Sequence, residues 1–110
     1  MSVKYAYGYI RVSTHDQEEI SPDSQEHLLR DYAAKNNIVI LKIFTDLGIS
    51  GRKANKRPGF QEMIEDIEAG YVTTVIVKDM SRLGRNYLQV GYYTDTFFPD
   101  HDVRFIAIND

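Results

Sequence analysis

Strand-like and helix-like segments alternate along the whole 110-residue chain. Three stretches with helical features separate four short runs of aromatic and β-branched residues, which lie at 5–12, 38–44, 73–77 and 103–108. A strand, a helix and a second strand in succession favour parallel strands in one sheet. The pattern therefore predicts an α/β fold: a three-layer α/β/α sandwich around a mainly parallel sheet of four to five strands.

Proline marks the start of two of the predicted helices. The first begins at Ser21-Pro22, where serine can accept a hydrogen bond from a free amide and proline suits the first helical position. The second begins at Pro58 and ends near Gly70. The third is predicted to run from about residue 86 to residue 98 and to be halted at Pro99.

Composition excludes several classes of protein. There is no cysteine, so the chain has neither disulfides nor thiolate metal sites. No apolar run approaches the roughly 20 residues of a membrane span, and no leader-like segment stands at the start. A hydrophobic fraction of 43% is enough for one core. We expect a single cytoplasmic domain, residues 1–110, that is not associated with membranes.

The charges are segregated although their sum is only −3. One basic group lies in the glycine-containing loop 47–57, which carries Arg52, Lys53, Lys56 and Arg57. A second lies at 78–85, and most acidic residues fall elsewhere. Because an anion responds to the local field more than to the total charge, these two segments are candidate anion-binding regions.

The candidate site lies where the predicted strands end. Ligands of parallel sheets bind beyond the carboxyl ends of the strands. Arg11 and Ser13 end the first strand, Arg57 closes the basic loop, and Arg82 and Arg85 follow the third strand. A hydroxyl among guanidinium groups suits phosphoryl transfer better than acyl transfer, which needs a base and an oxyanion hole.

Other interpretations of the same residues stay open at this point. Ser13 could cap the next segment, and the arginines could pair with nearby acids. Asp46, at the end of the second strand, could be the phosphoacceptor of a receiver-like signalling domain, although such a site needs more acids for Mg²⁺. The domain could also be catalytically idle and serve only in assembly. No motif indicates a metal, nucleotide or other cofactor site.

Five motifs in order resemble the catalytic domain of the serine site-specific recombinases, the resolvase/invertase family. The resemblance covers essentially the whole chain, and the long loop and the 78–86 run are most similar to large serine recombinases and transposases of bacterial mobile elements. Gln25 lies between the first two motifs. The motifs are Tyr7-Gly8-Tyr9-Ile10-Arg11-Val12-Ser13-Thr14, Ile43-Phe44-Thr45-Asp46, Gly48-Ile49-Ser50-Gly51, Arg57-Pro58-Gly59-Phe60 and Ser81-Arg82-Leu83-Gly84-Arg85.

The resemblance implies a specific chemistry. Ser13 would attack a DNA phosphodiester to give a 5′-phosphoserine and a free 3′-hydroxyl. The scissile phosphate would be held by the arginines at positions 11, 57, 82 and 85, with Gln25 and Gln17 in support. No metal or nucleotide would be needed. The partners implied are double-stranded DNA and further copies of the chain, as a homodimer or tetramer of the full-length protein.

The chain also departs from the family pattern. Ser81 stands where many small resolvases carry an aspartate, and Asp79, two residues earlier, is a candidate for part of that role. The family's long dimerisation helix and its DNA-binding domain are not found within the 110 residues. We therefore expect a resolvase-like fold truncated before that helix, a fragment that is inactive in isolation.

Overall fold

The computed structural model describes residues 3–12, 21–47, 58–79 and 87–109. Its four strands form one sheet in the order β2-β1-β3-β4, and every pairing is parallel. This arrangement confirms the predicted parallel α/β fold. In chain order the elements are β1 (Lys4–Val12), α1 (Pro22–Lys35), β2 (Ile38–Leu47), α2 (Pro58–Glu68), β3 (Thr74–Val77), α3 (Tyr87–Tyr92), a π-helical segment (Tyr93–Phe97), α4 (Phe98–Asp100) and β4 (Arg104–Ala107).

Two hydrophobic clusters lie on opposite faces of the sheet and define the three layers. Because side chains of a strand alternate between faces, Ala6 and Ile10 of β1 pack with Leu29 of α1. Tyr7 and Tyr9 point the other way, into a cluster formed with α2 and with the helical segments that precede β4. Burying both faces explains why all four residues of β3 are buried.

A bulge in β2 changes the face of the sheet to which its side chains point. Ala6 pairs with Ile40 but Tyr7 pairs with Lys42, so Leu41 is an extra residue on β2. Before the bulge, Ile40 packs on the α1 face, whereas after it Phe44 belongs to the α2 face. Strict alternation would have placed both on the same face, so the bulge reverses the phase of the strand.

The glycine of the first strand lets α1 approach the sheet. A Cβ on Gly8 would lie 3.0 Å from Cδ1 of Leu29 and 3.2 Å from Cγ1 of Ile43. Both distances are shorter than a relaxed carbon contact. A larger residue at position 8 would therefore push α1 away from β1.

The predicted starts of α1 and α2 and the predicted end of α2 near Gly70 are confirmed. The Ser21 hydroxyl accepts a hydrogen bond from the Ser24 amide at 3.3 Å, and Pro22 begins α1. Beyond the helix ends, Asn37 and Gly70 have φ values of 57° and 86°. Both are left-handed conformations that asparagine and glycine adopt at little cost.

The prediction that the third helix is halted at Pro99 is wrong, because Pro99 lies inside α4. The π-helical segment just before it explains how proline is accommodated. In a regular α-helix the proline ring clashes with the carbonyl four residues earlier. Here the Phe98 amide donates to the Tyr93 carbonyl, five residues back, so the helix is wider at this point. Among the described residues no helix is both long and apolar enough to cross a membrane.

Candidate active site at the carboxyl edge of the sheet

The carboxyl ends of the strands meet at one edge, as the sequence predicted. Arg11 is the register partner of Asp46, and Val12 that of Leu47. Beyond β3, the Lys78 carbonyl accepts a 2.9 Å hydrogen bond from the amide of Asn109, which extends the alignment with β4. The edge therefore brings Arg11, Asp46 and the residues that follow β3 to the same end of the domain.

Three of the nine predicted site residues are described by the structure. Arg11 lies near the end of β1, Gln25 lies in the first turns of α1, and Asp79 follows β3. The remaining predicted residues lie outside the described residues, as does the loop 48–57; they are Ser13, Gln17, Arg57, Ser81, Arg82 and Arg85.

Arg11 is half-buried and shares a face of the sheet with Tyr9. Ile10 and Val12 pack in the α1 cluster, so alternation directs the side chain of Arg11 to the α2 side. Its register partner Asp46 faces the same side. The guanidinium is thus carried by a strand in the middle of the sheet, which restricts its position more than a loop would.

Gln25 connects α1 to the end of β1. The side chain is fully buried, and its Nε2 donates a long hydrogen bond of 3.4 Å to the Arg11 carbonyl. The pairing of β1 with β3 ends two residues earlier, at Tyr9 and Val77. Gln25 therefore supports the backbone of Arg11 beyond the point where β3 has stopped, and the residue predicted as supporting does lie beside Arg11.

The sequence offers Asp46 as a candidate phosphoacceptor, which would have to be exposed. In the structure Asp46 is buried. Its side chain is 3% exposed. Oδ2 accepts hydrogen bonds from the Tyr9 hydroxyl at 2.7 Å and from the Phe60 amide at 3.0 Å, and Oδ1 accepts one from the Gly59 amide at 2.8 Å. Asp46 thus caps α2 from a distant part of the chain, because helices begin with amides that lack intrahelical partners.

These contacts argue against the receiver-like alternative. A phosphoacceptor carboxylate must reach a phosphodonor in solution, whereas both oxygens of Asp46 accept hydrogen bonds inside the protein. Removing those bonds would leave buried donors unsatisfied. The geometry of Asp46 supports a structural connection between strands and helix, not an exposed phosphorylation site.

The start of α2 lies directly against the end of β2. A Cβ on Gly59 would be 2.9 Å from the Thr45 carbonyl oxygen and 3.1 Å from Oδ1 of Asp46. Only a residue without a side chain allows this approach. Glycine is a poor helix former, so its presence at the second position of α2 is the signal in the sequence that a close contact requires it there.

Asp79 forms an ion pair with its neighbour Lys78. Their Oδ2 and Nζ atoms are 2.9 Å apart, and the two side chains are only 21% and 15% exposed. Lys78 belongs to the second basic group, but this ion pair offsets its charge. The positive field expected at the end of β3 therefore depends on the arginines at positions 82 and 85, which lie outside the described residues.

The fold is an α/β domain with a parallel sheet, and Arg11, Asp46 and Asp79 all lie at the carboxyl end of that sheet. Residues 6–110 match the family described as "Resolvase, N terminal domain". The chain belongs to this family, which confirms the resemblance inferred from the five motifs.

Solved structures agree with this assignment. The N-terminal catalytic domain of TP901-1 integrase is 34% identical with a TM-score of 0.83, and the similarity covers 96% of this chain and 78% of that one. A resolvase family site-specific recombinase from Streptococcus pneumoniae is 33% identical with a TM-score of 0.83, over 97% of this chain and 73% of that one. The fold is that of serine recombinase catalytic domains.

A curated relative is much longer than this chain. An uncharacterized protein of Sinorhizobium fredii, y4bA/y4pH, is 31% identical over 108 residues. The match covers 88% of this chain but 16% of that protein. The chain thus spans about a sixth of the length of this relative.

Proposed function

We propose that this domain cleaves and rejoins DNA by phosphoryl transfer, with Ser13 as the nucleophile. The Oγ of Ser13 attacks the phosphorus of a DNA phosphodiester. A bond between phosphorus and Oγ forms as the serine hydroxyl gives up its proton, and the bond from phosphorus to the 3′ oxygen breaks. That oxygen takes up a proton and leaves as a 3′-hydroxyl, so the step consumes no net proton. The 5′-phosphoserine is itself a phosphodiester, so the bond energy is retained. Attack by a 3′-hydroxyl can therefore rejoin the strand and release Ser13.

Arginine side chains supply the electrostatic part of this reaction. Those at positions 11, 57, 82 and 85 hold the scissile phosphate and neutralise the charge on its oxygens. The placement of Arg11 on a central strand, at the edge where parallel sheets bind ligands, is the observation that carries the proposal. Gln25 supports the Arg11 backbone, and Gln17, Ser81 and Asp79 are assigned supporting roles.

The substrate is double-stranded DNA carrying a recombination site, and strand exchange takes place in a homodimer or tetramer of the full-length protein. The net charge of −3 agrees with a domain that contributes little backbone affinity by itself. We therefore expect the 110 residues in isolation to be inactive, and assign DNA affinity to the full-length protein.

A covalent adduct assay with the full-length protein tests the proposal. The probe is a supercoiled plasmid carrying the genomic DNA on both sides of the encoding gene. After denaturation, protein-linked DNA is recovered and digested with nuclease, and mass spectrometry locates the phosphorylated residue. We expect the adduct on Ser13 and its loss in Ser13→Ala, with Ser24→Ala, an exposed serine of α1, as the matched control.

Two results would contradict the proposal. Adducts that persist in Ser13→Ala would show that another residue is the nucleophile. Recombination that is unchanged by both Arg57→Ala and Arg82→Ala would support a catalytically idle domain that serves only in assembly.

A further inference from the structure

The amino edge of the sheet exposes a group of large apolar side chains. In the part of the chain that the structure describes, seven large hydrophobic residues are strongly exposed. Five of them stand just before the first three strands or near their beginnings: Val3, Tyr5, Val39, Leu41 and Tyr71. Because the strands are parallel, their beginnings meet at one edge, opposite the candidate active site. We call these five residues the amino-edge surface.

Strand pairing brings three of these side chains together. Tyr5 is the register partner of Val39, so the two side chains lie on the same face of the sheet on neighbouring strands. The Thr73 amide donates a 3.2 Å hydrogen bond to the Tyr5 carbonyl. This bond holds the segment that carries Tyr71 against the beginning of β1.

The charge beside the amino-edge surface is negative. α2 ends next to it and has no lysine or arginine, but it carries Glu62, Glu65, Asp66 and Glu68. Among the described residues an ion pair is found for Glu62, with Lys42, and for none of the other three. Since the carbonyl end of a helix is itself partly negative, acids there are unfavourable for the domain alone.

The negative field reaches the face of the sheet that carries Tyr5. Tyr7 lies on that face, two residues further along β1. Burial raises the pKa of Tyr7 most, followed by the charge of Asp66 and by Tyr71. Asp66 and Tyr71 are thus both near the same side chain, which connects the acidic end of α2 to the amino-edge surface.

These properties specify the chemistry of a partner. Tyr5 and Tyr71 are 49% and 67% exposed, and tyrosine is enriched where proteins bind one another. The acids of α2 would repel the phosphates of a nucleic acid, so the partner is a protein. Arginine suits this surface best, because its planar guanidinium both stacks on tyrosine rings and pairs with carboxylates.

We propose that the amino-edge surface binds a protein segment in which arginines alternate with apolar residues. The apolar side chains pack on Val39 and Leu41, and the arginines stack on the tyrosines and pair with the acids of α2. Seven residues separate Val39 from Asp46, which is roughly 20 Å along β2. The partner therefore leaves the carboxyl edge open, and the inference goes beyond DNA cleavage without depending on it.

A binding measurement with the full-length protein tests the inference. The probe is a fluorescein-labelled peptide of three repeats of arginine-leucine-leucine-arginine, followed by fluorescence anisotropy. Tyr71→Ser is expected to weaken binding about tenfold, as for a central aromatic contact. Tyr92→Ser is the matched control, because Tyr92 is 52% exposed but belongs to α3. It should change the affinity by less than about twofold.

Variants of the peptide test the charge and the preference for arginine. Glutamate in place of every arginine should weaken binding at least about tenfold, because like charges then face one another. Lysine in place of arginine should weaken it about threefold, because an ammonium lacks the planar group that stacks on tyrosine. A photoreactive benzoylphenylalanine in place of one leucine should give crosslinks within residues 3–5, 39–41 and 66–72, located by mass spectrometry.

Several outcomes would overturn the inference. They are absence of peptide binding, equal affinities of Tyr71→Ser and Tyr92→Ser, equal binding of the glutamate peptide, and crosslinks confined to α1. If Tyr71→Ser lowered the association state of the protein in sedimentation without peptide, the occupant would be a second copy of the chain instead. If Tyr71→Ser fails to fold, Val39→Ser decides, and an unchanged affinity there would count against the inference. The Ser13 adduct assay is independent of each of these results.

Discussion

The ammonium of Lys42 lies 2.8 Å from the carboxylate of Glu62 and 4.6 Å from the centre of the Phe44 ring, so one exposed lysine links β2, α2 and an aromatic face. The hydrogen bond that Lys42 donates to Glu62 is the main reason that the pKa of Lys42 is raised. The charged form is thus favoured in the folded state.

This pair predicts a stability difference that depends on pH. Because the pKa of Lys42 is raised on folding, its contribution is fully present below the ordinary lysine pKa and is lost as the pH rises through the raised value. Glu62→Gln should lower the urea midpoint slightly at neutral pH and not at all in strongly alkaline solution. Glu65→Gln, an exposed neighbour on α2, is the control, and an equal effect there would contradict the assignment to Lys42.

Two glycine substitutions are expected to have opposite effects. Gly59→Ala places a Cβ 2.9 Å from a backbone carbonyl and should destabilise the domain by about 1–3 kcal/mol. Gly91 lies in α3, where the nearest atom to an added Cβ is 3.9 Å away. Gly91→Ala should therefore stabilise by about 0.5–1 kcal/mol, the usual gain for alanine in a helix. Chemical denaturation measures both, and equal signs would contradict the predicted close contact at Gly59.

Gln25 should contribute more to the stability of the fold than its long hydrogen bond to Arg11 suggests. Gln25→Ala removes a fully buried side chain and leaves the Arg11 carbonyl without this donor, so we expect a loss of about 1–3 kcal/mol. Gln61→Ala, at an exposed position on α2, should change stability by less than about 0.5 kcal/mol. Equal effects of the two substitutions in urea denaturation would exclude the role assigned to Gln25.

Tyr7 should ionise at higher pH than an exposed tyrosine. Burial is the main cause of its raised pKa, and the negative charge of Asp66 adds to the effect. The folded state therefore loses stability as the pH rises above the ordinary tyrosine pKa. Ultraviolet titration of tyrosinate should lose a step above the ordinary tyrosine pKa in Tyr7→Phe. Loss of a step at or below that pKa would contradict the prediction.

The sequence was sufficient for the parallel sheet and for the edge where Arg11 lies. The order of the elements and the starts at Pro22 and Pro58 depend on local rules, which tertiary contacts did not override here. The family followed from motifs in register along the chain. The helix starts and the family motifs each depend on residues that are close together in sequence, so they can be recognised from residue patterns alone.

The role of Asp46 could not be predicted, because it depends on contacts between residues far apart in sequence. Its partners are 37 and 14 positions away at Tyr9 and Phe60. The accommodation of Pro99 was missed for a different reason. A π-helical turn before a proline has no pattern that distinguishes it from an α-helix that ends there.

The bulge at Leu41 means that β2 consists of two half-strands that are out of phase. The direction of Asp46 therefore depends on the number of residues in β2 as well as on their identities. A deletion of Leu41 would leave Asp46 and its partners Tyr9, Gly59 and Phe60 present in the protein. It would also remove the bulge, so the two halves of β2 would continue one alternation in their present register with β1, and Asp46 would still face α2. Relatives of this domain can thus lose one residue of β2 together with the bulge, whereas gaining one without a second bulge would turn Asp46 away from the start of α2.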